Sequence, residues 1–146
     1  MPDKRIYSEE SPAVQAHLGI VQSVIQRMAS NSASCKAWCI TLVAAILVTV
    51  ADKGKPTYAL IAVVPMVLFL VLDTYYLGLE RCFRDSYNEF IDKIHDGRIV
   101  VTDLYAVMPK GSLPRSFAHA LCSFSIWPFY VTLGVMIWLS MWIVIR

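Results

Sequence analysis

Hydrophobic residues along the chain form three long apolar stretches that polar segments separate. The first is Ala37–Ala51. The second runs from Thr57 to about Leu72 and can extend to Leu79, and the third is Ser125–Ile145, with an apolar approach from Phe117. A helix rises 1.5 Å per residue, so about 20 apolar residues cross the roughly 30 Å hydrocarbon core of a bilayer. The first stretch is short, and we expect it to extend toward its N-terminus through small residues, with Lys36 reaching the headgroups. The pattern therefore predicts three transmembrane helices.

Two further stretches carry apolar residues at helical spacing. Apolar residues recur every three or four positions from Val14 to Met28 and again from Tyr76 to Ile94. This period indicates an amphipathic N-terminal helix and a second span that continues into the cytoplasm. We expect the two apolar faces to contact each other, within one subunit or between subunits, although a membrane-surface helix is an alternative for the N-terminal stretch. The residues of this candidate partner-helix face are Val14, Leu18, Val21, Ile25, Met28, Phe83, Tyr87, Phe90 and Ile94.

Local signals predict where these helices begin, end and bend. Ser11 followed by Pro12 is typical of an N-cap and first turn, and Asp96-Gly97 is typical of a helix stop. Pro65 and Pro128 fall inside apolar stretches, and we predict a bend at each. The connection after Gly97 is expected to contain a short helix capped by Thr102, with a strand at Arg98–Val101 as the alternative.

The predicted fold is an all-α membrane protein with three transmembrane helices, an N-terminal amphipathic helix and a cytoplasmic extension of the second span. The predicted boundaries are 1–35 for the N-terminal helix, 36–52 for the first span, 53–56 for the outer hairpin, 57–79 for the second span, 80–116 for the cytoplasmic helix and loop, and 117–146 for the third span.

The distribution of basic residues predicts the orientation. Ten Lys and Arg residues flank the side shared by the N-terminus and the 80–116 connection, and three lie on the other side. The positive-inside rule then places the N-terminus in the cytoplasm and the C-terminus outside, which implies a cell inner membrane. Arg81 and Arg84 are the basic cytoplasmic residues nearest the second span, and we expect i,i+4 pairs of Glu80 with Arg84 and of Arg81 with Asp85.

Composition supports the membrane class and argues against catalysis. Hydrophobic residues make up 57% of the chain and charged residues 16%, and mean hydropathy is +0.55. A net charge of +2 is too small to indicate nucleic-acid binding. The four cysteines have no metal-ligand or redox spacing, and no secretory signal is recognised at the start. No phosphate-binding loop or nucleophile motif is found. We predict no enzyme activity, no catalytic residues, no cofactor and no metal.

Polar residues at the cytoplasmic membrane boundary are the candidate functional residues. Asn31 and Lys36 precede the first span, and Asp73 and Glu80 follow the core of the second. If the two spans pack antiparallel, Lys36 and Asp73 lie at the same depth. An ionisable residue at membrane depth is a functional hypothesis, here gating, while the alternative is a structural ion pair that fixes the hairpin register.

Two segments resemble a known family. The segments "HLGIVQSVIQRMASNSASCKAWCITLVAA" (His17–Ala45) and "PMVLFLVLDTYYLGLERCFRDSY" (Pro65–Tyr87) are similar to small bacterial multi-helix membrane proteins of the SLATT and four-helix effector types. The resemblance covers about half of the chain, which departs from the four-helix type by its three spans. It implies an effector encoded beside nucleotide-signalling and antiphage genes, which disrupts or perforates the membrane.

The functional expectation combines these observations. Three spans cannot enclose an aqueous path, so transport would require several copies with closed symmetry. The first hypothesis is a homo-oligomeric antiphage effector that permeabilises the bilayer when a cytoplasmic partner protein or nucleotide signal acts on its helices. The second is a non-conducting membrane anchor or adaptor that recruits a soluble enzyme.

Overall fold

The computed structural model describes residues 10–145, with side chains through residue 143. The first nine residues of the predicted N-terminal helix, and with them Lys4 and Arg5, lie outside the described residues, as does Arg146. The described residues contain helices and no strand, which confirms the all-α prediction. The α-helices are α1 (Pro12–Lys53), α2 (Val63–His95), α3 (Leu113–Leu121) and α4 (Trp127–Ile145), with 3-10 helices at Pro56–Ala62 and Val101–Asp103.

Two long helices dominate the fold. α1 has 42 residues and is about 63 Å long. α2 has 33 residues and ends where Asp96-Gly97 predicts. Gly97 has φ +64°, and the Arg98 N–H donates to the Lys93 carbonyl at 2.9 Å, which closes the helix end. By length and composition, α1 and the stretch Pro56–His95 could cross a membrane, and α4 is a shorter apolar helix.

Both prolines lie in the first turn of an α-helix. Pro65 is the third residue of α2, directly after the 3-10 helix, and Pro128 is the second residue of α4. A first-turn residue has no intrahelical partner for its N–H, so proline fits there without breaking a hydrogen bond. The predicted bend is therefore wrong at Pro128. Pro65 lies where the 3-10 helix passes directly into α2, within the helical stretch Pro56–His95, and the bend there stays a prediction.

The predicted third span divides into two helices. α3 ends at Leu121 and α4 begins at Trp127, so the segment 117–146 contains a turn. Gly78 of α2 allows α3 to approach closely, because a Cβ atom at Gly78 would lie only 3.4 Å from the Phe117 backbone nitrogen. No glycine or proline lies between the two helices, since residues 122–126 are Cys, Ser, Phe, Ser and Ile.

Residues 98–112, here called the strap, connect α2 to α3 and cover the far end of the α1–α2 pair. Ile99 and Leu104 of the strap are buried in a small apolar cluster with Val14 of α1. Thr102 lies within the 3-10 helix, which begins at Val101, so both the predicted Thr102 cap and the alternative strand are wrong. The Asp103 carboxylate shapes this turn by accepting from the Val100 N–H at 3.1 Å.

A second apolar cluster lies at the other end of the long helices and joins α1, the first 3-10 helix and α4. Its buried members are Cys39, Val43, Val50, Ala59, Ala62, Ile126, Tyr130, Leu133 and Ile137. The two clusters flank a polar site, described next, where α1, α2 and α4 meet.

Candidate functional site

The polar site lies between the two apolar clusters, and we call Ser32, Lys36, Asp73 and Tyr130 the junction site. Ser32 and Lys36 are one turn apart on α1, so their side chains share the face that packs on α2. Cys35 and Cys39 continue this buried face, and their small side chains let the helices approach closely. Asp73 comes from α2 and Tyr130 from α4.

Asp73 is the centre of the junction site and is 0% exposed. Its Oδ1 accepts a hydrogen bond from Ser32 Oγ at 2.5 Å. Its Oδ2 lies 2.6 Å from Lys36 Nζ and forms an ion pair with it. Lys36 Nζ also donates to Ser32 Oγ at 3.4 Å. The predicted juxtaposition of Lys36 and Asp73 is confirmed, and it joins α1 to α2 at one fixed register.

Tyr130 adds a third helix to the junction site. Its side chain is 5% exposed, and its hydroxyl has no well-aligned hydrogen-bond partner among the described residues. The hydroxyl is close enough to Asp73 to interact with the carboxylate both electrostatically and through a poorly aligned hydrogen bond. Such a contact compensates only part of the cost of burying the hydroxyl, so the packing of α4 must hold it there.

The other predicted boundary residues lie outside this cluster. Asn31 is half-buried on α1 beside Ser32. Glu80 is buried two turns beyond Asp73 and accepts from Arg84 Nε at 2.8 Å, as the i,i+4 spacing predicts. Arg81 donates to Ser123 Oγ at 3.0 Å on the α3–α4 turn, a contact that replaces the predicted role beside Asp85. Arg81 thus ties α2 to the start of α4.

The two predicted apolar faces pack against each other within the chain. Val14, Phe90 and Ile94 are buried in one cluster, with Leu18 packed on it. Gln22 Nε2 donates to the Tyr87 hydroxyl at 3.1 Å further along the pair. Of the remaining face residues, Val21 is buried, and Ile25, Met28, Phe83 and Tyr87 are half-buried. The intramolecular alternative for these faces is therefore observed.

A small cavity of about 210 Å³ opens beneath the strap. Its charged lining residues already pair with one another: Lys93 lies 2.8 Å from Asp103 and 3.8 Å from Glu89, and Lys110 also pairs with Glu89. The hydrogen bond to Asp103 raises the pKa of Lys93, and the hydrogen bond from Lys110 lowers the pKa of Glu89. The cavity is smaller than a usual small-molecule site, and its charged residues pair with one another. We therefore interpret these residues as ion pairs that hold the strap against α2.

His17 is a buried polar residue of the α1–strap contact that helical periodicity did not identify. It is 2% exposed, and its ring centroid lies 4.2 Å from that of Phe90. Its Nδ1 accepts a hydrogen bond from the Tyr105 N–H at 2.9 Å, and Tyr105 has an unusual φ of +63°. Burial lowers the pKa of His17 below its ordinary value of 6.5, while the charge of Asp103 acts in the opposite direction. The neutral imidazole therefore fastens the strap to α1.

Acidification is expected to release this fastening. Because the pKa of His17 is lower when folded, the unfolded state binds more protons, so the contact stabilises fully above about pH 6.5 and weakens as pH falls below it. Hydrogen exchange of the Tyr105 amide, expressed as a protection factor, should show protection at pH 7.5 and its loss toward pH 5.5. His17→Asn, which keeps an acceptor without a titrating ring, should flatten this profile. Exposed His119→Asn is the matched control, and an unchanged profile in both variants would contradict the role of His17.

Comparisons with known proteins give no match: no family model, curated protein or solved structure is similar to the chain. The interpretation of the junction site therefore rests on its geometry alone. The site combines the buried carboxylate of Asp73, the ammonium of Lys36 and the hydroxyls of Ser32 and Tyr130. Together these groups can hold three helices in a single arrangement or release them together.

Proposed function

We propose that the chain is a homo-oligomeric membrane effector with three spans, which permeabilises a bacterial inner membrane when its cytoplasmic helices receive a signal. Its N-terminus lies in the cytoplasm and its C-terminus outside, as the basic residues predict. The antiphage role follows from the family resemblance, and the signal comes from a partner protein or a nucleotide. The observation that carries the proposal is the buried ion pair of Lys36 with Asp73. It lies where α1 and α2, each unbroken, pass from the small apolar cluster beneath the strap to the larger apolar cluster at the other end.

The outer surface supports placement in lipid. Large apolar side chains are exposed along both long helices and α4, including Val48 at 71%, Val64 at 69% and Trp138 at 60%. Exposed hydroxyls on these faces bond to their own helix: Thr41 donates to the Ala37 carbonyl at 2.8 Å, and Thr132 to the Pro128 carbonyl at 2.6 Å. Such self-satisfied hydroxyls suit a solvent that offers no hydrogen bonds.

The interior supports an oligomer. The space between α1, the 3-10 helix and α4 is filled by the apolar cluster that contains Val43, Ile126 and Leu133. An aqueous path would therefore form between copies, and a closed ring is the usual arrangement. A signal that rotates the cytoplasmic ends of α1 and α2 must also move the junction site, because neither helix is interrupted between the two.

The burial of Asp73 also favours a second candidate function. A carboxylate that is 0% exposed inside one protomer suits a static hairpin in a non-conducting anchor or adaptor. The two functions make different predictions for a chain in which the ion pair is weakened.

Efflux from liposomes tests the proposal. Asp73→Asn keeps the shape of the side chain and removes the ion pair, so it should destabilise the closed arrangement. Each 1.4 kcal/mol lost from that arrangement raises the open population about tenfold, and efflux of K⁺ should rise accordingly over the wild type. Exposed Asp85→Asn on the same helix is the matched control and should leave efflux unchanged.

Three further measurements make the efflux result decisive. Gel filtration and resistance to alkaline extraction establish that each variant is folded and inserted, and the retention of a loaded dextran, which is far larger than the ions, separates a pore from general rupture. Folded, inserted Asp73→Asn oligomers that remain as tight as the wild type would contradict the effector and favour the anchor.

A further inference from the structure

Three contacts establish how the segment 110–123 lies on α2. The Lys110 N–H donates to the Cys82 carbonyl at 3.4 Å, the Cys82 thiol donates to Ser116 Oγ at 3.2 Å, and Arg81 donates to Ser123 Oγ at 3.0 Å. Leu113, Pro114 and Phe117 of α3 also line a pocket with Tyr75, Gly78 and Leu79 of α2, and Lys110 pairs with Ser86 and Glu89 further along. α3 and the turn that follows it therefore contact α2 between Tyr75 and Cys82, over about two turns of that helix.

The position of this contact gives the depth of α3. Tyr75 and Cys82 lie two and nine residues beyond Asp73, which is about 3–14 Å along the axis of α2. The apolar part of α2 lies on the opposite side of Asp73, and α4 begins at Trp127, only a short turn after α3. Where α2 and α4 cross a bilayer, as proposed above, α3 lies in the plane of its cytoplasmic surface.

The faces of α3 fit that position. Ala120 is buried and Phe117 is half-buried against α2, which leaves the opposite side exposed. On a helical wheel the exposed side has an apolar strip of Pro114, Ala118 and Cys122 next to a basic strip of Arg115 and His119. Leu113, 43% exposed, and Phe124, 88% exposed, flank the helix at its two ends.

The basic strip is unpaired within the chain. Arg115 and His119 make no ion pair among the described residues, whereas Lys93, Lys110 and Arg84 each pair with a carboxylate. A basic strip beside an apolar one, with apolar residues at both ends, is the arrangement of helices that bind the surface of anionic membranes.

We propose that α3 is an in-plane surface helix that binds anionic phospholipid headgroups through Arg115 and His119, while its apolar strip and Phe124 enter the headgroup–acyl boundary. The site deepens the proposed function, on whose membrane placement it rests. In this arrangement one side of the α3–α4 turn contacts lipid. The other side contacts α2 through Arg81.

A fluorophore on Cys122 tests the proposal in the full chain. Cys122 is exposed, whereas Cys35, Cys39 and Cys82 are buried, so labelling should be selective. The labelled protein is placed in nanodiscs of phosphatidylcholine with or without phosphatidylglycerol, and lipids with a nitroxide near the headgroup serve as quenchers. In anionic discs, quenching at Cys122 should exceed that at exposed Asn88→Cys, in a Cys122→Ser background, by about threefold or more. Arg115→Glu should lower the Cys122 quenching in anionic discs and leave it unchanged in neutral ones.

The outcomes separate this inference from the proposed function. A label at Val48→Cys, on the exposed apolar part of α1, reports insertion independently. If Val48→Cys is quenched by lipid and Cys122 responds only to aqueous iodide, the surface helix is overturned and the membrane placement stands. If Cys122 is quenched equally in both lipids and Arg115→Glu has no effect, recognition of anionic lipid is overturned. If Val48→Cys is not quenched, the membrane placement itself fails.

Discussion

Replacing Lys36 with methionine is expected to destabilise the protein by about 3–5 kcal/mol, and by more than replacing Asp73 with asparagine. Lys36→Met leaves a carboxylate that is 0% exposed with no opposite charge. Such a group must be buried as an uncompensated charge or take up a proton, and both cost free energy of folding.

Asp73→Asn is expected to cost less, about 1–2 kcal/mol. The asparagine amide can still bond to Ser32, which donates to Asp73 in the wild type. The Lys36 side chain is 21% exposed, so its ammonium can turn toward water or headgroups after the loss of its partner. The asymmetry between the two variants follows from this difference in exposure.

The free energy of unfolding of each variant can be measured by titrating detergent-solubilised protein with a denaturing surfactant. The double variant Lys36→Met with Asp73→Asn should be more stable than the sum of the single effects predicts, because it removes both charges together. Tyr130→Phe should change stability by less than about 1 kcal/mol, because the hydroxyl interacts with Asp73 without a well-aligned hydrogen bond. Equal and additive effects of the two single variants would show that the ion pair does not couple the helices.

The sequence predicts the long helices of this fold well because their signals are local. Apolar residues recur at helical spacing on both sides of Asp73, and Ser11-Pro12 and Asp96-Gly97 lie at real helix ends. Ser11 occupies the N-cap position although its side chain makes no capping hydrogen bond. The Lys36–Asp73 contact was also predictable, since a short hairpin brings two helices together at a depth that residue counting can compare.

Other features depend on tertiary contacts that a single sequence does not display. Pro65 and Pro128 stand in continuous apolar runs, and the run itself does not indicate that a helix begins beside each proline. The turn that separates α3 from α4 lies beside the approach of Phe117 to Gly78, which no local pattern reports. The positive φ of Tyr105 accompanies a hydrogen bond from its N–H to His17, 88 residues away.

The junction site was predictable in part. Ser32 lies four residues before Lys36, so its place on the same helix face could be read from spacing. Tyr130 gave a weaker signal, a hydroxyl near the cytoplasmic end of an apolar stretch, and it reads first as an interfacial aromatic. Its position near Asp73 depends on the turn at 122–126, and that turn was missed.

Replacing Gly78 with leucine is expected to separate α3 from α2. A Cβ atom at Gly78 would lie 3.4 Å from the Phe117 nitrogen and 3.5 Å from its Cα, so alanine fits at contact distance and a longer side chain collides with backbone. Overpacking of this kind costs about 1–3 kcal/mol, against which leucine recovers up to about 1 kcal/mol of helix propensity. Gly78→Leu should therefore be less stable than Gly78→Ala.

Cys82 supplies a local measurement of this separation. It is 0% exposed, and its thiol donates to Ser116 of α3, so it should react with a maleimide only when α3 moves away. In a Cys122→Ser background, mass spectrometry should find Cys82 labelled at least about tenfold faster in Gly78→Leu than in Gly78→Ala, since a loss of about 1.4 kcal/mol in the closed contact raises its open population tenfold.

Gly134→Leu is the matched control for this prediction. Gly134 lies within α4, and a Cβ atom there would have no neighbour within 4 Å, so leucine gains propensity without a collision. It should leave Cys82 protected. If Gly78→Leu also leaves Cys82 protected while the protein remains folded, α3 does not depend on the glycine for its position. The position of α3 against Tyr75–Cys82 of α2 would then require another cause.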